Sequence, residues 1–379
     1  MAELSSLGKR SKSADESCSS WSTPVSVKKR NYGLPFTDKL EIPPSVSSWT
    51  RHVANKLGIV YHKKPTDVAE FFKISEGSRE FIYPFKGENK QILDSLVSVT
   101  QKKLCKARKL NGTVFSEEAA QCISYLHAAA SFQEIMADLD KLEKEASNQS
   151  SESRYLRRSH IKLEEFFMQL NKFYIKRGDE LSKKLVESEF TELLAGFSRI
   201  FFLNVEEVTC KRTMKIGDIS ATSVPDLCFW APFPLAYFTC YSIGVVTVTE
   251  VKVEQKEQGD DESFDISTAV CDQVLGQHAG ELLLEIRDSA FENVALGIIC
   301  MQTKIIFTHL EIGQEHLAMI QRNGDVDGRF EVDGRESGTI YYTKPYDYMN
   351  ESDRSEILEF LFWLGLHSLP VVKRLKPNN

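Results

Sequence analysis

The run Gly244–Val253, with the sequence G-V-V-T-V-T-E-V-K-V, most constrains how this chain folds. It is apolar and β-branched, which predicts a β-strand. Successive side chains of a strand point to opposite faces, so Glu250 and Lys252 share one face. Val246 and Val248 occupy the same face. The predicted strand therefore ends with an acid and a lysine on one side, where charge is costly to bury unless it is paired.

Apolar patterns on both sides of this run predict a sheet with flanking helices. Leucines and phenylalanines recur at helical spacing from Leu181 to Phe197, and a second helical pattern extends from Asp265 to Asp288. Short strand-like runs cover Val224 to Trp230, Val294 to Met301 and Lys304 to Ile312. Only Gln302-Thr303 separates the last two runs, which indicates a tight hairpin. This order of elements is typical of an α/β or α+β domain.

Two carboxylates and one lysine are predicted at the ends of neighbouring strands. Asp226 belongs to one strand-like run, while Glu250 and Lys252 end the other. Carboxylate oxygens hold Mg²⁺, and the cation neutralises charge that develops on a phosphate and activates a water. A lysine can stabilise that charge or position the water. The alternative is an exposed strand end at which Glu250 and Lys252 are simply solvated.

The spacing of Pro225-Asp226 and Glu250-Val251-Lys252 resembles that of the PD-(D/E)xK nuclease superfamily, over roughly residues 181–312. The resemblance implies a restriction-endonuclease-like core with a mixed sheet. It also implies that Asp226, Glu250 and the carbonyl of Val251 bind Mg²⁺ or Mn²⁺. Lys252 would then lie near the attacking water and the phosphate.

The same resemblance suggests two further site residues. A helix before the core sheet often supplies another acid, and Glu189 is the candidate because it falls inside an apolar helical arc whose edges carry Glu187 and Glu192. The helix after the motif strand carries a glutamine near the active site in several branches, and Gln273 is the candidate catalytic residue. The RecB-like branch has a tyrosine where this chain has Gln277. A frayed helix end with exposed acids, and ordinary surface glutamines, are the alternatives.

Composition limits the classes of function. The chain has 379 residues, enough for one large domain or two ordinary ones. Its net charge of −7 argues against a surface that grips nucleic acid over its whole extent, although a local basic groove is compatible with it. No apolar stretch reaches about 18 residues, so we expect no membrane span. The cysteines form no Cys-x-x-Cys pair, and we expect reduced thiols.

Three regions are predicted along the chain. Residues 1–35 are polar and rich in serine, and we expect them to be disordered. Residues 36–178 are predicted to be a mainly helical N-terminal region, and residues 179–379 an α/β domain. The clusters Lys9-Arg10 and Lys28-Lys29-Arg30 resemble a bipartite nuclear localisation signal. The alternative is a solvated basic tail on a cytoplasmic protein.

Two functions follow from these patterns. The first is a metal-dependent nuclease that hydrolyses phosphodiester bonds of DNA or RNA. The second is a catalytically inactive protein with the same fold that acts as a scaffold, binding a partner protein through the helical N-terminal region or binding nucleic acid without cutting it.

Overall fold

The computed structural model describes residues 42–75, 87–111, 151–179, 187–207, 211–232, 240–249, 264–291, 293–324 and 338–367, together with residue 137. These residues belong to one unit, Leu40–Asn379. The predicted disordered tail, residues 1–35, and its basic clusters lie outside the described residues.

The described residues form helices and strands in an alternating order. The helices are α1 Arg51–Lys56, α2 Val68–Phe71, α3 Gly87–Asn111, α4 Ser151–Asp179, α5 Glu187–Arg199, α6 Ile266–Ala269, α7 Asp272–Glu285, α8 Gln314–Asn323 and α9 Glu351–His367. The strands are β1 Ile59–Tyr61, β2 Val205–Glu207, β3 Arg212–Ile216, β4 Ile219–Ser223, β5 Leu227–Pro232, β6 Cys240–Thr249, β7 Val294–Met301, β8 Lys304–Glu311, β9 Gly338–Tyr342 and β10 Tyr346–Asp347. Two 3-10 helices, Val46–Ser48 and Phe72–Ser75, complete the described elements.

Eight strands form one mixed sheet, in the order β1-β9-β8-β7-β6-β5-β2 with β10 beside β8. The pairs β6–β7 and β1–β9 are parallel, and the remaining pairs in this sheet are antiparallel. A parallel pair needs a crossover connection, and α7 lies in the one between β6 and β7. The hairpin β3–β4 forms a separate two-stranded sheet. The predicted class, a mixed sheet flanked by helices, is confirmed.

The sequence located these elements well, with one difference in the helix that follows β6. The predicted hairpin is present as β7 and β8, and Gln302 in its two-residue turn has a positive φ of 59°. The helix predicted from Asp265 to Asp288 is instead two helices, α6 and α7. Val270 between them has extended backbone angles, and Cys271 is the residue that precedes α7.

Each face of the sheet has its own hydrophobic core. Val246 and Val248 of β6 contribute to a first core, together with side chains of α3, α4, α5 and α9. Val245 contributes to a second core, together with α1, α7 and α8. The alternation of a strand therefore separates the side chains of β6 as the sequence predicts, as far as Thr249. Because both faces are covered, β6 is a buried central strand.

The predicted N-terminal region, residues 36–178, shares the sheet with the predicted α/β domain. Its described residues form α1 to α4 and the strand β1, and β1 pairs in parallel with β9. The predicted boundary at residue 178 lies at the end of α4.

Close backbone contact fixes α7 against the start of the described chain. A Cβ added at Gly276 would lie 2.1 Å from the backbone carbon of Thr50, and one at Gly280 would lie 2.6 Å from Val46. Atoms cannot approach this closely, so only glycine allows α7 to pack there.

We predict that Gly276→Ala lowers the free energy of unfolding by about 1–3 kcal/mol, the usual cost of overpacking. Helix propensity alone favours alanine by about 1 kcal/mol, so any loss reports the clash with Thr50. Gly313→Ala is the matched control, because a Cβ there meets no atom within 4 Å. Urea unfolding measures both variants, and equal stabilities would contradict the close approach.

Candidate active site

Asp226 lies where β5 begins and is fixed to the end of β6. Its backbone N–H donates to the carbonyl of Val246 at 3.2 Å. Its Oδ2 accepts a hydrogen bond from the backbone N–H of Val248 at 2.7 Å. The antiparallel pairing of β5 with β6 brings the start of one strand beside the end of the other. The prediction that the two motif strands are neighbours is therefore confirmed.

The residues that follow β6 carry the rest of the predicted motif. Thr249 is the last described residue of the strand, and Glu250, Val251 and Lys252 lie outside the described residues. Asp226 bonds to Val248, two residues before Glu250. The last described residues of β6 therefore lie beside the Asp226 carboxylate.

The Asp226 carboxyl group is partly buried and uses one oxygen in the hydrogen bond with Val248. Burial raises the pKa of this carboxyl group, and the hydrogen bond from Val248 lowers it in part. Among the residues that the structure describes, the other oxygen, Oδ1, has no hydrogen-bond partner. A carboxylate fixed by one oxygen, with a second oxygen free, is suited to a hard divalent cation.

The acids of α5 approach the same end of the sheet. Glu187 and Glu189 lie in the first turn of this helix, and both are partly exposed. Cys300 of β7 pairs with Val248, and its burial raises the pKa of its thiol. The negative charges of Asp226 and Glu187 raise that pKa further. The charge of Glu187 thus acts on the same thiol as that of Asp226, whereas the sequence placed Glu187 at the edge of the helical arc and favoured Glu189.

The described residues alone do not complete a metal site. Among them, no group of three or more histidine, cysteine, aspartate or glutamate side chains is arranged to hold a metal ion. The predicted ligands Glu250 and Val251 are not among those residues. The predicted ligand Asp226 is described, and its Oδ1 bonds to no other described residue.

The two glutamines of α7 have different surroundings. Gln273 is exposed, and its Nε2 donates to the backbone carbonyl of Ser47 at 2.6 Å. Gln277 is one turn further along, and its Nε2 donates to Oε1 of Glu281 at 2.9 Å. Gln277 is therefore linked to β6 through Glu281, which also accepts a hydrogen bond from Thr247 of that strand.

A buried polar network joins α7 to the face of β6 opposite Val246 and Val248. The Thr247 hydroxyl donates to Oε2 of Glu281 and lies 2.6 Å from Nδ1 of His278. Nε2 of His278 lies 2.7 Å from Oγ1 of Thr308 on β8. Gly297 of the intervening strand β7 leaves room for this contact, because a Cβ there would lie 2.7 Å from the His278 ring. The network therefore crosses three strands within the core.

Burial controls the charges of this network. It raises the pKa of Glu281 to about 8, with a smaller contribution from the negative charge of Asp226, and it lowers the pKa of His278 to about 3. Both groups are therefore mostly uncharged at neutral pH. Because a hydroxyl has one hydrogen, Thr247 can donate to only one neighbour, which links the protonation of Glu281 to the tautomer of His278.

Glu281 and His278 are not among the site residues that the sequence predicts. They are a histidine and a glutamate three residues apart within the apolar helical pattern from Asp265 to Asp288, and this spacing places both side chains on one face of a helix. That spacing indicates that the two side chains share a buried contact. Their common partner is Thr247, which the alternation of β6 assigns to the face opposite Glu250.

Comparisons with known proteins do not assign this chain to a family. Neither the models of known protein families nor the curated proteins match it. Within the described ranges, no helix is both long and apolar enough to cross a membrane.

We predict that Glu281→Gln reduces the pH dependence of stability. A glutamate whose pKa is raised in the folded state stabilises the fold at low pH, and this contribution is lost as pH rises from about 4.5 to about 8. Between pH 6.5 and 8 the wild-type protein should lose about 2 kcal/mol, at roughly 1.4 kcal/mol per pH unit. Glutamine cannot lose a proton, so the variant should lose much less.

Urea unfolding at the two pH values measures this difference. His278 is neutral in the folded protein but partly protonated in the unfolded chain near pH 6.5, and this contribution is the same in the wild-type protein and the variant, so it cancels in the comparison. The exposed Glu315 provides the control Glu315→Gln, which should keep the wild-type slope. A Glu281→Gln variant with the wild-type slope would mean that Glu281 is ionised in the folded protein.

Proposed function

We propose that this protein is a metal-dependent nuclease of the PD-(D/E)xK superfamily. The observation that carries the proposal is the position of Asp226, whose carboxylate is hydrogen-bonded to β6 two residues before Glu250. Twenty-three residues separate Asp226 from Glu250 in sequence, and the pairing of β5 with β6 brings Asp226 beside Val248, two residues before Glu250.

The order and pairing of the elements support a restriction-endonuclease-like core. From α5 onward the chain forms a helix, the strands β2, β5 and β6, the helix α7, and the strands β7 and β8. This is the order that the resemblance implies, with the motif on β5 and at the end of β6. These strands are neighbours in the sheet in the same order, and the β3–β4 hairpin is an insertion between β2 and β5.

The residues that would hold the metal are Asp226, Glu250 and the Val251 carbonyl, with an acid from the first turn of α5. When bound, Mg²⁺ or Mn²⁺ would neutralise charge on the phosphate and lower the pKa of a water. The chain's own contribution begins with the Val248 N–H, which orients the Asp226 carboxylate and leaves Oδ1 free. In the proposed site Lys252 lies near the phosphate, where its charge would stabilise the transition state.

The second candidate function is a scaffold that keeps this fold without hydrolysing nucleic acid. The net charge of −7 favours it, because such a charge repels polyanions except where basic residues cluster. The long helices α3 and α4, with 25 and 29 residues, provide surface for a partner protein. Catalysis separates the two functions. A nucleus-directed tail is compatible with both and remains a proposal.

We predict that the purified full-length protein cleaves labelled DNA or RNA in the presence of Mg²⁺ or Mn²⁺. Asp226→Asn should lower the cleavage rate roughly a hundredfold or more, because it removes a ligand charge at the reacting centre. The amide oxygen can still accept from the Val248 N–H, so the melting temperature should change little. Cleavage of single- and double-stranded substrates is followed on gels, with chelator as a second arm.

The control for this variant is Asp218→Asn. Asp218 is exposed in the turn of the β3–β4 hairpin and should leave the rate unchanged. Cleavage that persists in excess chelator, or that survives Asp226→Asn, would refute the metal mechanism. A folded wild-type protein without cleavage of any substrate would favour the scaffold.

The three acids of α5 test which carboxylate completes the site. We predict that Glu187→Gln lowers the cleavage rate at limiting Mg²⁺ more than Glu189→Gln, because the charge of Glu187 reaches Cys300 beside the Asp226 end of β6. High Mg²⁺ should restore part of the rate. Glu192→Gln is the control on the same helix, because Glu192 is exposed. If only Glu189→Gln alters the Mg²⁺ dependence, the sequence-based choice is the better one.

A further inference from the structure

The β3–β4 hairpin has one buried face and one exposed face. Met214, Ile216 and Ala221 belong to the second core. The alternate residues Thr213 and Lys215 of β3 are exposed. Because successive side chains of a strand point to opposite sides, the hairpin lies on the protein with one face and presents the other to solvent.

The exposed face carries lysines that the rest of the described structure leaves uncompensated. Lys211 and Lys215 are exposed, and neither forms an ion pair with a described residue. Arg212 differs from them, because it bonds to Glu285 at 2.9 Å and lies 3.4 Å from Asp288. Within the described ranges, the two lysines therefore carry positive charge that no carboxylate neutralises, in a chain whose net charge is −7.

Hydroxyl groups surround these lysines. Lys215 pairs with Ser220 across the hairpin, and Thr213 pairs with Thr222. Thr222 forms a bridge with Ser45, which places the exposed residues Ser45 and Ser47 beside β4. We call this set the hairpin surface, and its members are Ser45, Ser47, Lys211, Thr213, Lys215 and Ser220.

The hairpin surface begins at the candidate active site. β4 ends at Ser223, and only Val224 and Pro225 separate it from Asp226. Arg212 pairs with Ser223, so the neighbouring Lys211 lies at the Asp226 end of the hairpin. Lys215 lies further away, toward the turn. Val224 is 57% exposed at this junction and offers an apolar contact between the surface and Asp226.

We infer that the hairpin surface binds the phosphate backbone of a single-stranded nucleic acid and leads that strand to Asp226. Lysines and hydroxyls are the groups that contact phosphates without reading sequence. Alternate residues of a strand lie about 7 Å apart, so Lys211, Thr213 and Lys215 form a straight row that can follow one extended backbone. The inference rests on the proposed function for the destination of the strand, but the binding itself can be measured without cleavage.

The test measures binding of a fluorescent single-stranded oligonucleotide to the full-length Asp226→Asn protein at several salt concentrations. We expect the double variant K211Q/K215Q to bind several-fold more weakly at low salt. The slope of log affinity against log salt should fall by about 1.4, since each phosphate neutralised on a single strand contributes about 0.7. The melting temperature should stay at the parent value, because both side chains are exposed.

The matched control is K63Q/K64Q in the same background. These lysines are exposed and follow β1, at the edge of the sheet opposite β2, so the change in net charge is identical. An unchanged slope for K211Q/K215Q, or an equal fall for the control, overturns the inference. Polyglutamate that competes as well as the oligonucleotide overturns it too, since the surface would then be a site for acidic polypeptides.

Cleavage provides the separate readout for the proposed function. If the wild-type protein binds the oligonucleotide through the two lysines but cleaves nothing with Mg²⁺ or Mn²⁺, the nuclease proposal fails and the binding surface stands. If the wild-type protein cleaves and K211Q/K215Q binds and cleaves a long substrate at the wild-type rate, the nuclease proposal stands and the surface is refuted.

Discussion

The burial of β6 between two helical layers is the constraint on which the rest of the structure depends. The apolar side chains of its two faces enter different cores, so a shift of one residue would exchange the two sets. The register of β6 is therefore strongly determined. That register decides which backbone N–H of β6 donates a hydrogen bond to the Asp226 carboxylate.

The two faces of β6 also have different chemical roles. Val246 and Val248 pack toward α5, whose first turn carries Glu187 and Glu189. Thr247 points to α7, where Glu281 and His278 bind its hydroxyl inside the second core. The polar network ties the strand to the helix and to β8, because each buried polar group in it would be costly without its partner. The position of the candidate site is thus supported from the opposite side of the sheet.

Charge is separated between these parts of the molecule. The charges of Asp226 and Glu187 both raise the pKa of the Cys300 thiol, while the exposed lysines of the hairpin surface lie on the hairpin that precedes Asp226 in the chain. In the proposed function, a polyanionic strand bound by these lysines would meet carboxylates, and a bound cation would offset their repulsion. A local cluster of lysines is compatible with a chain whose net charge is −7.

The sequence by itself determined the elements that depend on local patterns. Period-two alternation located β6 and the faces of its residues, short apolar runs located β7 and β8, and the Gln302-Thr303 turn gave their pairing. The motif spacing suggested Asp226 as a site residue and predicted that the strands of Asp226 and Glu250 are neighbours. These features follow from backbone geometry and hydrophobicity over a few residues.

Only the tertiary structure decided which distant groups meet. The sequence ranked Glu189 above Glu187 from a helical arc, but the distance from each acid to Cys300 depends on how α5 docks on the sheet. The sequence pointed to Gln273 as a catalytic residue. The position of its side chain depends on the break between α6 and α7 and on its hydrogen bond to Ser47. The pairing of β1 with β9, and of Glu281 with Thr247, joins residues that no local period relates. Long-range packing settles such contacts, because their energy comes from partners that are close only after the chain has folded.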